Sequence, residues 1–560
     1  MTHTGIERDM VQLSRLQILE RQNRDLRTRL ENRQGKAELS LSASEDELKD
    51  LRFKVLDKDA TIAMLQKEIA ALTKELEAAK DLRAETMRGR IDAEVAAAVD
   101  DATGPLKAEL EKAYIEIARL KAIVNKDSTN SSKPPGQSGF KRHSNNSREK
   151  RGRKRGGQPG HPGHRLGLPE NIDGLVEKGI VERRVVDHTG GAAEYVSRYV
   201  IDVEVVTTIT EHRFPVGAEL PKGLYNEVSY GDGIKAMSVL LLNEGVIAEL
   251  RFSEILAGLT RGAVTVSPAT LERFLSQFAK TLESNGELEA ITEDLLNGEV
   301  MHTDDTPLRC SETIEYLENG ETEIRTAEGK SFDATVRTHS NDMSTLYTVN
   351  PRKDKEGIDR DNILPRYLGT LSHDHESKFY NYGKKHSTCG EHLLRDLKGL
   401  RDLQMIPWAG DMRAHMAGMN NHKNRDLAAE KTACDPEVLA GFERTYDNLL
   451  ARGRAELAQM EEGGFGYDEF RKMLNRLTDY KDSYLLFIRD YKAPFTNNMA
   501  ERDLRHEKTK QKVSLLFRSW GGIVNHAKIR SFVSTVKKRK GDLFDAISRV
   551  IGGEPVLRDP

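Results

Sequence analysis

Glu299-Val-Met-His-Thr-Asp-Asp305 sets two adjacent carboxylates at the close of a strand-like run. A second such run, Gly369-Thr-Leu-Ser-His-Asp374, also closes on an acid. Ala334-Thr-Val-Arg-Thr-His339 and Thr345-Leu-Tyr-Thr-Val349 lie between them and are rich in β-branched residues, so a sheet is expected across 298–374. Carboxylates at strand ends are held by rigid backbone while their oxygens face a cleft. A hard divalent cation requires that arrangement. A third acid sits in a helical stretch, Asn497-Asn-Met-Ala-Glu501-Arg-Asp-Leu-Arg505. Asn498, Glu501 and Arg505 are three and four residues apart and share one helix face. That face offers a carboxylate, an amide and a phosphate-binding guanidinium.

Outward from these acids the chain changes character several times. Residues 1–127 are rich in Ala, Glu, Lys, Arg and Leu, and a heptad fits 48–76. Leu48, Val55, Ile62, Ile69 and Leu76 take position a; Leu51, Leu65 and Leu72 take d, with Lys58 as the exception. A seam so narrow calls for a partner helix, so self-association through a coiled coil is expected. Gly104-Pro105 interrupts the helix before a second register, Leu106, Leu110, Ala113, Ile117, Leu120 and Val124.

Residues 128–165 form a Pro/Gly-rich linker. Eight basic residues and one acid fall between 141 and 155, with Lys150, Arg151, Arg153, Lys154 and Arg155 at their densest. Such a cluster binds phosphates without reading sequence. The alternation in 181–215 predicts a small β unit within 166–225. Residues 226–294 read as helices, with Ser267-Pro268 as cap and first turn. The pair flanking Gly262 could be a helix-turn-helix or a plain helical hairpin. Residues 396–490 are again helical. Residues 501–540 hold twelve basic and three acidic residues.

The 560-residue chain has a net charge of −3, but that total conceals two basic blocks around an acidic middle. No apolar run is long enough to span a membrane, and no secretory leader is evident. Three cysteines, Cys310, Cys389 and Cys434, cannot build a disulfide framework, so a reducing cytoplasm is expected.

The order of these features resembles the DDE transposases of the insertion-sequence-sixty-six family. Ser131-Ser-Lys-Pro-Pro135 and Gly152-Arg-Lys-Arg-Gly-Gly-Gln-Pro-Gly-His161 resemble its linker motifs. Thr303-Asp-Asp-Thr-Pro307, Leu371-Ser-His-Asp374 and Asn497-Asn-x-x-Glu501-Arg502-x-x-Arg505 resemble the motifs around its three acids. Cys389-Gly-Glu-His392 resembles its Cys-x-x-His segment.

The resemblance implies a multidomain α plus α/β protein. A ribonuclease-H-like catalytic domain would begin at 295–395, take a helical insertion at 396–490, and end in the helix and basic tail of 491–545. Asp304, Asp374 and Glu501 would be catalytic and would carry two Mg²⁺, with Mn²⁺ as a substitute. Asn498, Arg502 and Arg505 would join the basic run in binding double-stranded DNA, both element ends and target. A homo-oligomer in the bacterial cytoplasm, close to the nucleoid, is implied, with room for accessory proteins encoded by the element. Asp305 remains a rival to Asp304 as the first acid.

The family's cysteine-based zinc module has no counterpart, because 166–225 lacks cysteine; zinc is not expected there. Whether Cys389 and His392 bind metal, with His373, His375 or His386 completing a site, is left open by spacing alone. Two other readings compete. One is a catalytically inactive, transposase-derived protein that binds or bridges DNA. The other is a tyrosine recombinase using a late residue such as Tyr491.

Overall fold

The computed structural model describes residues 167–169 and 171–558, except 192, 222, 225, 318–320 and 328. It also describes 64, 67, 71, 74, 75, 106, 109, 110, 113, 114 and 117, all of them helical. These last belong to a separate N-terminal unit, Met1–Leu120. The seam positions of the 48–76 heptad and the basic residues Lys150, Arg151, Arg153, Lys154 and Arg155 all lie outside the described residues.

The centre of the second unit is a mixed five-stranded sheet in the order β5-β4-β1-β6-β7. Its strands are β1 (Val300–Cys310), β4 (Phe332–Ser340), β5 (Thr345–Asn350), β6 (Thr370–His373) and β7 (Lys385–Thr388). β1 runs antiparallel to β4 and parallel to β6; β4 and β5 are antiparallel, β6 and β7 parallel. β1 is therefore where the sheet changes from hairpin pairing to crossover pairing. In open sheets such a switch point leaves a crevice beyond the strand ends.

Five described α-helices precede the sheet: α1 (Ile172–Glu177), α2 (Asp232–Val239), α3 (Glu249–Leu259), α4 (Pro268–Ser284) and α5 (Glu287–Asn297). α6 (Lys355–Asp361) follows β5, and α7 (Gly390–Leu403) follows β7. Then come α8 (Trp408–Ala428), α9 (Pro436–Leu457), α10 (Tyr467–Asp479) and α11 (Lys481–Arg489). The chain closes with α12 (Asn498–Ser514), α13 (Trp520–Lys538) and α14 (Leu543–Ile551).

One core joins Phe278, Leu282, Ile291, Met301, Leu371, Phe532 and Ile547. A second, containing Leu308, Val336, Leu504 and Ile523, seats α12 and α13 against β1 and β4. The insertion α7–α11 has a core of its own around Leu397, Trp408, Tyr446, Phe470 and Leu485.

α13 also closes an edge. Ser531 Oγ accepts from Tyr347 N at 2.8 Å, and Thr535 Oγ1 accepts from Thr345 N at 3.1 Å. Two outward N–H groups of edge strand β5 are thereby satisfied, which leaves less of a template for a foreign strand.

Local expectations hold where local chemistry decides. Ser267 caps α4 through Thr270 N with Pro268 in the first turn, and α3 and α4 flank the positive-φ Gly262. Phe252 and Leu256 of α3 pack with Leu271 and Phe274 of α4, whereas Ile255 and Leu259 are exposed. No described helix is long and apolar enough to cross a membrane.

Four expectations are corrected. First, among the described residues of 181–215 no strand forms: the segment has no ladder partner, and Val185, Val200, Val203 and Ile209 are exposed. Alternation specifies a face, but a strand also needs a neighbour. Second, the strand-like run that begins at Glu299 does not close at Asp305. β1 continues to Cys310, and β2 (Glu312–Tyr316) pairs with β3 (Thr322–Thr326) as a separate hairpin.

Third, Asp304 consequently lies inside β1 rather than at its end. It is β6 that stops short, pairing with β1 only over Val300–His302. Fourth, the basic residues near the C-terminus are not a free tail. Lys537 pairs with Glu244, Lys538 with Asp503 at 3.0 Å, and Arg539 with Asp294 at 3.8 Å.

Candidate functional site

The β1–β6 register sets the site. Val300 pairs with Thr370, Met301 with Leu371 and His302 with Ser372, a constant offset of seventy residues. Continued two residues past the last of these pairs, that register brings Asp304 level with Asp374. Neighbouring strands lie about 4.8 Å apart, so the two carboxylates share one crevice.

α12 brings the third acid. Its N-cap residue, Asn497, is buried and accepts from His302 Nδ1 at 3.0 Å while donating from Nδ2 to Thr303 O at 2.8 Å. Asp503, two residues beyond Glu501, accepts from Ser340 Oγ at 2.7 Å and Thr345 Oγ1 at 3.1 Å. Lys508 Nζ donates to Pro307 O at 2.8 Å. Three turns of α12 are thus fastened to the sheet around Glu501.

Asn497→Ala is expected to lower stability by about 2–4 kcal/mol, because it strands a buried carbonyl and a buried imidazole N–H. A urea unfolding midpoint equal to that of the wild type would contradict this.

Electrostatics separates the two adjacent acids. Asp305 has cations on three sides: Lys378, Lys353 at 3.2 Å and Arg337 at 3.6 Å. Arg337 is itself fully buried and also pairs with Asp361. Asp305 therefore belongs to a compensated ion network.

Asp304 has no such partner; its oxygen accepts only the Asp305 amide, at 2.8 Å, among the described contacts. Burial, followed by the charges of Asp374 and Asp305 and, more weakly, Glu501, holds its carboxyl well above the usual aspartate range. Asp374 is pushed up to about 6 by burial and by the charges of Glu376 and Asp305. Asp304 is thus linked electrostatically to both Asp374 and Glu501, and it is half-buried without a cationic partner among the described residues. Carboxylates crowded in this way suit a divalent cation.

On the exposed side of α12, Asn498, Arg502 and Arg505 face solvent, and neither arginine forms an ion pair among the described residues. Within Asn497-Asn498, helical spacing from Glu501 points to Asn498. The bracing residue is Asn497, and only its burial reveals it.

Cys389 and His392 are not completed by the nearby histidines. His373 Nε2 lies 3.1 Å from His386 Nδ1, and His375 Nδ1 lies 3.0 Å from the Tyr380 hydroxyl. Cys389 Sγ and His392 Nδ1 instead converge on Glu501 Oε1, at 4.0 and 3.6 Å. Cys389 also accepts from Asn497 N at 3.3 Å, which ties the start of α7 to the start of α12.

Tyr491 is buried, and its hydroxyl donates to Asp426 at 2.7 Å. Burial and that carboxylate push the phenol far above its ordinary value. Such a hydroxyl is ill suited to act as a nucleophile.

Fold and site together describe an α-rich protein with a mixed five-stranded sheet whose switch point carries a group of half-buried carboxylates. The model of the transposase IS66 family matches residues 228–525, more than half of the chain, and the protein belongs to that family. That span contains β1, β6, α12 and all three acids. A family of unknown function, DUF6444, matches residues 59–167. No curated protein matches the chain. Among solved structures, the crystal structure of the Mos1 strand transfer complex aligns at 14% identity with a TM-score of 0.11. That alignment covers 47% of this chain and 79% of the other, and so distant a likeness carries no argument.

Proposed function

We propose that this family member is an active DDE transposase, cleaving and joining DNA strands through Asp304, Asp374 and Glu501 on a ribonuclease-H-like sheet. The observation that carries the reading is Asp304: a half-buried carboxylate under the charges of Asp374 and Glu501, with no lysine or arginine among the described residues to balance it. Asp305, one residue away, has three cations around it. A protein that only bound DNA would gain nothing from keeping an uncompensated carboxylate cluster, which costs stability.

The donor set fits two Mg²⁺ or Mn²⁺ ions, since carboxylate oxygens suit hard cations and the cluster has negative charge to spare. Once bound, such ions activate an attacking hydroxyl and stabilise the leaving oxygen of a phosphodiester. Asp304 and Asp374 present their carboxylates from adjacent strands, and Glu501 presents a third from a helix fixed by Asn497 and Asp503. Asn498, Arg502 and Arg505 place two positive charges and an amide on the solvent side of that helix, where they hold the DNA backbone. The basic run containing Lys150, Arg151, Arg153, Lys154 and Arg155 adds affinity without sequence preference. Residues 1–127 join protomers, so that two element ends meet in one cytoplasmic assembly.

The test is strand transfer by the full-length protein on DNA carrying the element's ends. Joined product is expected with Mg²⁺ or Mn²⁺ and none after chelation. Cleavage that persists in excess EDTA, or a protein–DNA adduct trapped through tyrosine, would refute the proposal.

A further inference from the structure

Beyond the carboxylate cluster, α12 carries a second group of metal-type donors that the proposed reaction does not use. His506 and Glu507 lie on α12 and His526 on α13. One ligand atom from each lies within 4.8 Å of the other two. His526 Nε2 is 3.0 Å from Glu507 Oε2 and 3.3 Å from Oε1. His506 Nδ1 is 3.7 Å from Glu507 Oε1. The two imidazoles lie nearly parallel, 18° apart with centroids 6.2 Å from each other, and Phe517 closes one side at 5.3 Å from the His526 ring.

Three features of this group call for a cation. Glu507 is 1% exposed, yet no lysine or arginine among the described residues comes within ion-pair distance; Lys508, Lys510 and Arg530 act on it only at longer range. A buried carboxylate needs compensation of that kind. Both ring nitrogens of His506 are sealed from solvent and lack a hydrogen-bond partner. Buried polar atoms are seldom left so without reason.

The third feature is Asn243, which follows α2. Its Nδ2 lies 3.2 Å from His526 Nδ1 and 3.4 Å from His526 O, so the ring is held from behind, and its own Oδ1 is buried without a partner. A partner on the far ring nitrogen fixes the orientation of a ligating histidine.

We propose that His506, Glu507 and His526 form a binding site for a zinc-class transition metal that fastens α12 to α13. Two imidazoles and one carboxylate select a borderline metal over Mg²⁺. With metal–ligand bonds of about 2.0–2.2 Å, ligand atoms around a tetrahedral ion sit about 3.3 Å apart. The present 3.0 and 3.7 Å bracket that value. The donors are buried and belong to the packing of two helices, so the role is structural: it stiffens the helix that carries Glu501. It does not depend on the proposed strand chemistry.

The test uses full-length protein carrying Cys389→Ser and Glu501→Gln, so that donors beside the acid cluster do not compete. After chelation this protein is expected to take up one equivalent of Zn²⁺, to show tetrahedral d–d absorption with Co²⁺, and to ignore Mg²⁺ at that site. Adding His506→Ala should weaken Zn²⁺ binding by about 100-fold or more. Unchanged binding in that variant, or no uptake by the parent, overturns the proposal. Should the His506→Ala protein fail to fold, crystals of the parent grown with one equivalent of Zn²⁺ decide. An anomalous peak at the zinc edge between the three side chains supports the site, and its absence refutes it.

Discussion

Glu501→Gln is expected to cut strand cleavage and transfer by at least about 10³-fold, while binding to element-end DNA stays within about twofold of the wild type. The substitution preserves shape and removes one negative charge. Asn497, Asp503 and Lys508 still hold α12 to the sheet, so the helix should not move. Arg502 and Arg505, exposed on the same helix, keep their charge and remain free to meet phosphate. On the proposed reading, what is lost is one of three carboxylates that would hold the divalent ions, and the chemical step would depend on all three. Gel shift and strand-transfer assays on the same preparation separate the two effects. Substantial transfer by the variant would refute the role assigned to Glu501.

Asp374→Asn should do two opposite things: abolish activity and stabilise the metal-free protein by up to about 3 kcal/mol at neutral pH. Asp374 titrates near 6 in the fold against an ordinary 3.8, because burial and neighbouring carboxylates disfavour its charged form. Below 3.8 both folded and unfolded states hold the proton, and there is no penalty. Between 3.8 and 6 the unfolded chain has released its proton while the folded chain retains it, so stability falls as pH rises. Above 6 the whole penalty is present.

Asparagine is neutral throughout, and its oxygen can still accept from Glu376 N, now at 3.2 Å from the aspartate. The wild type should recover the same stability on adding Mg²⁺, and the variant should not. Thermal unfolding with and without Mg²⁺ reads both effects. A variant less stable than the wild type without metal would contradict the electrostatic reading of the cluster. Activity bought with stability is common in sites that gather like charges.

Much of this was legible in the residue order, but unevenly. The seventy-residue spacing of Asp304 and Asp374 is visible in the sequence. That it equals the β1–β6 register offset emerges only once the strands are paired. The helical character of 396–490, the Ser267 cap and the exposed face of α12 follow from local patterns, and the fold keeps them.

The alternating valines of 181–215 mislead because period-two alternation is a property of one strand, whereas a sheet is a property of two. Lys537, Lys538 and Arg539 mislead for a related reason. Sequence counts charges, and the fold decides which are neutralised; here Glu244, Asp503 and Asp294 arrive from distant segments.

The sequence by itself determined the order of the motifs, the spacing of the candidate acids and the helix faces, because these depend on spacing along one backbone. Only the tertiary structure decided that Asp305 is neutralised and Asp304 is not, that Asn497 rather than Asn498 braces the site, and that Cys389 and His392 turn toward Glu501. Burial and ion pairing depend on residues far apart in the chain, and those two quantities separate the unpaired Asp304 from the neutralised Asp305.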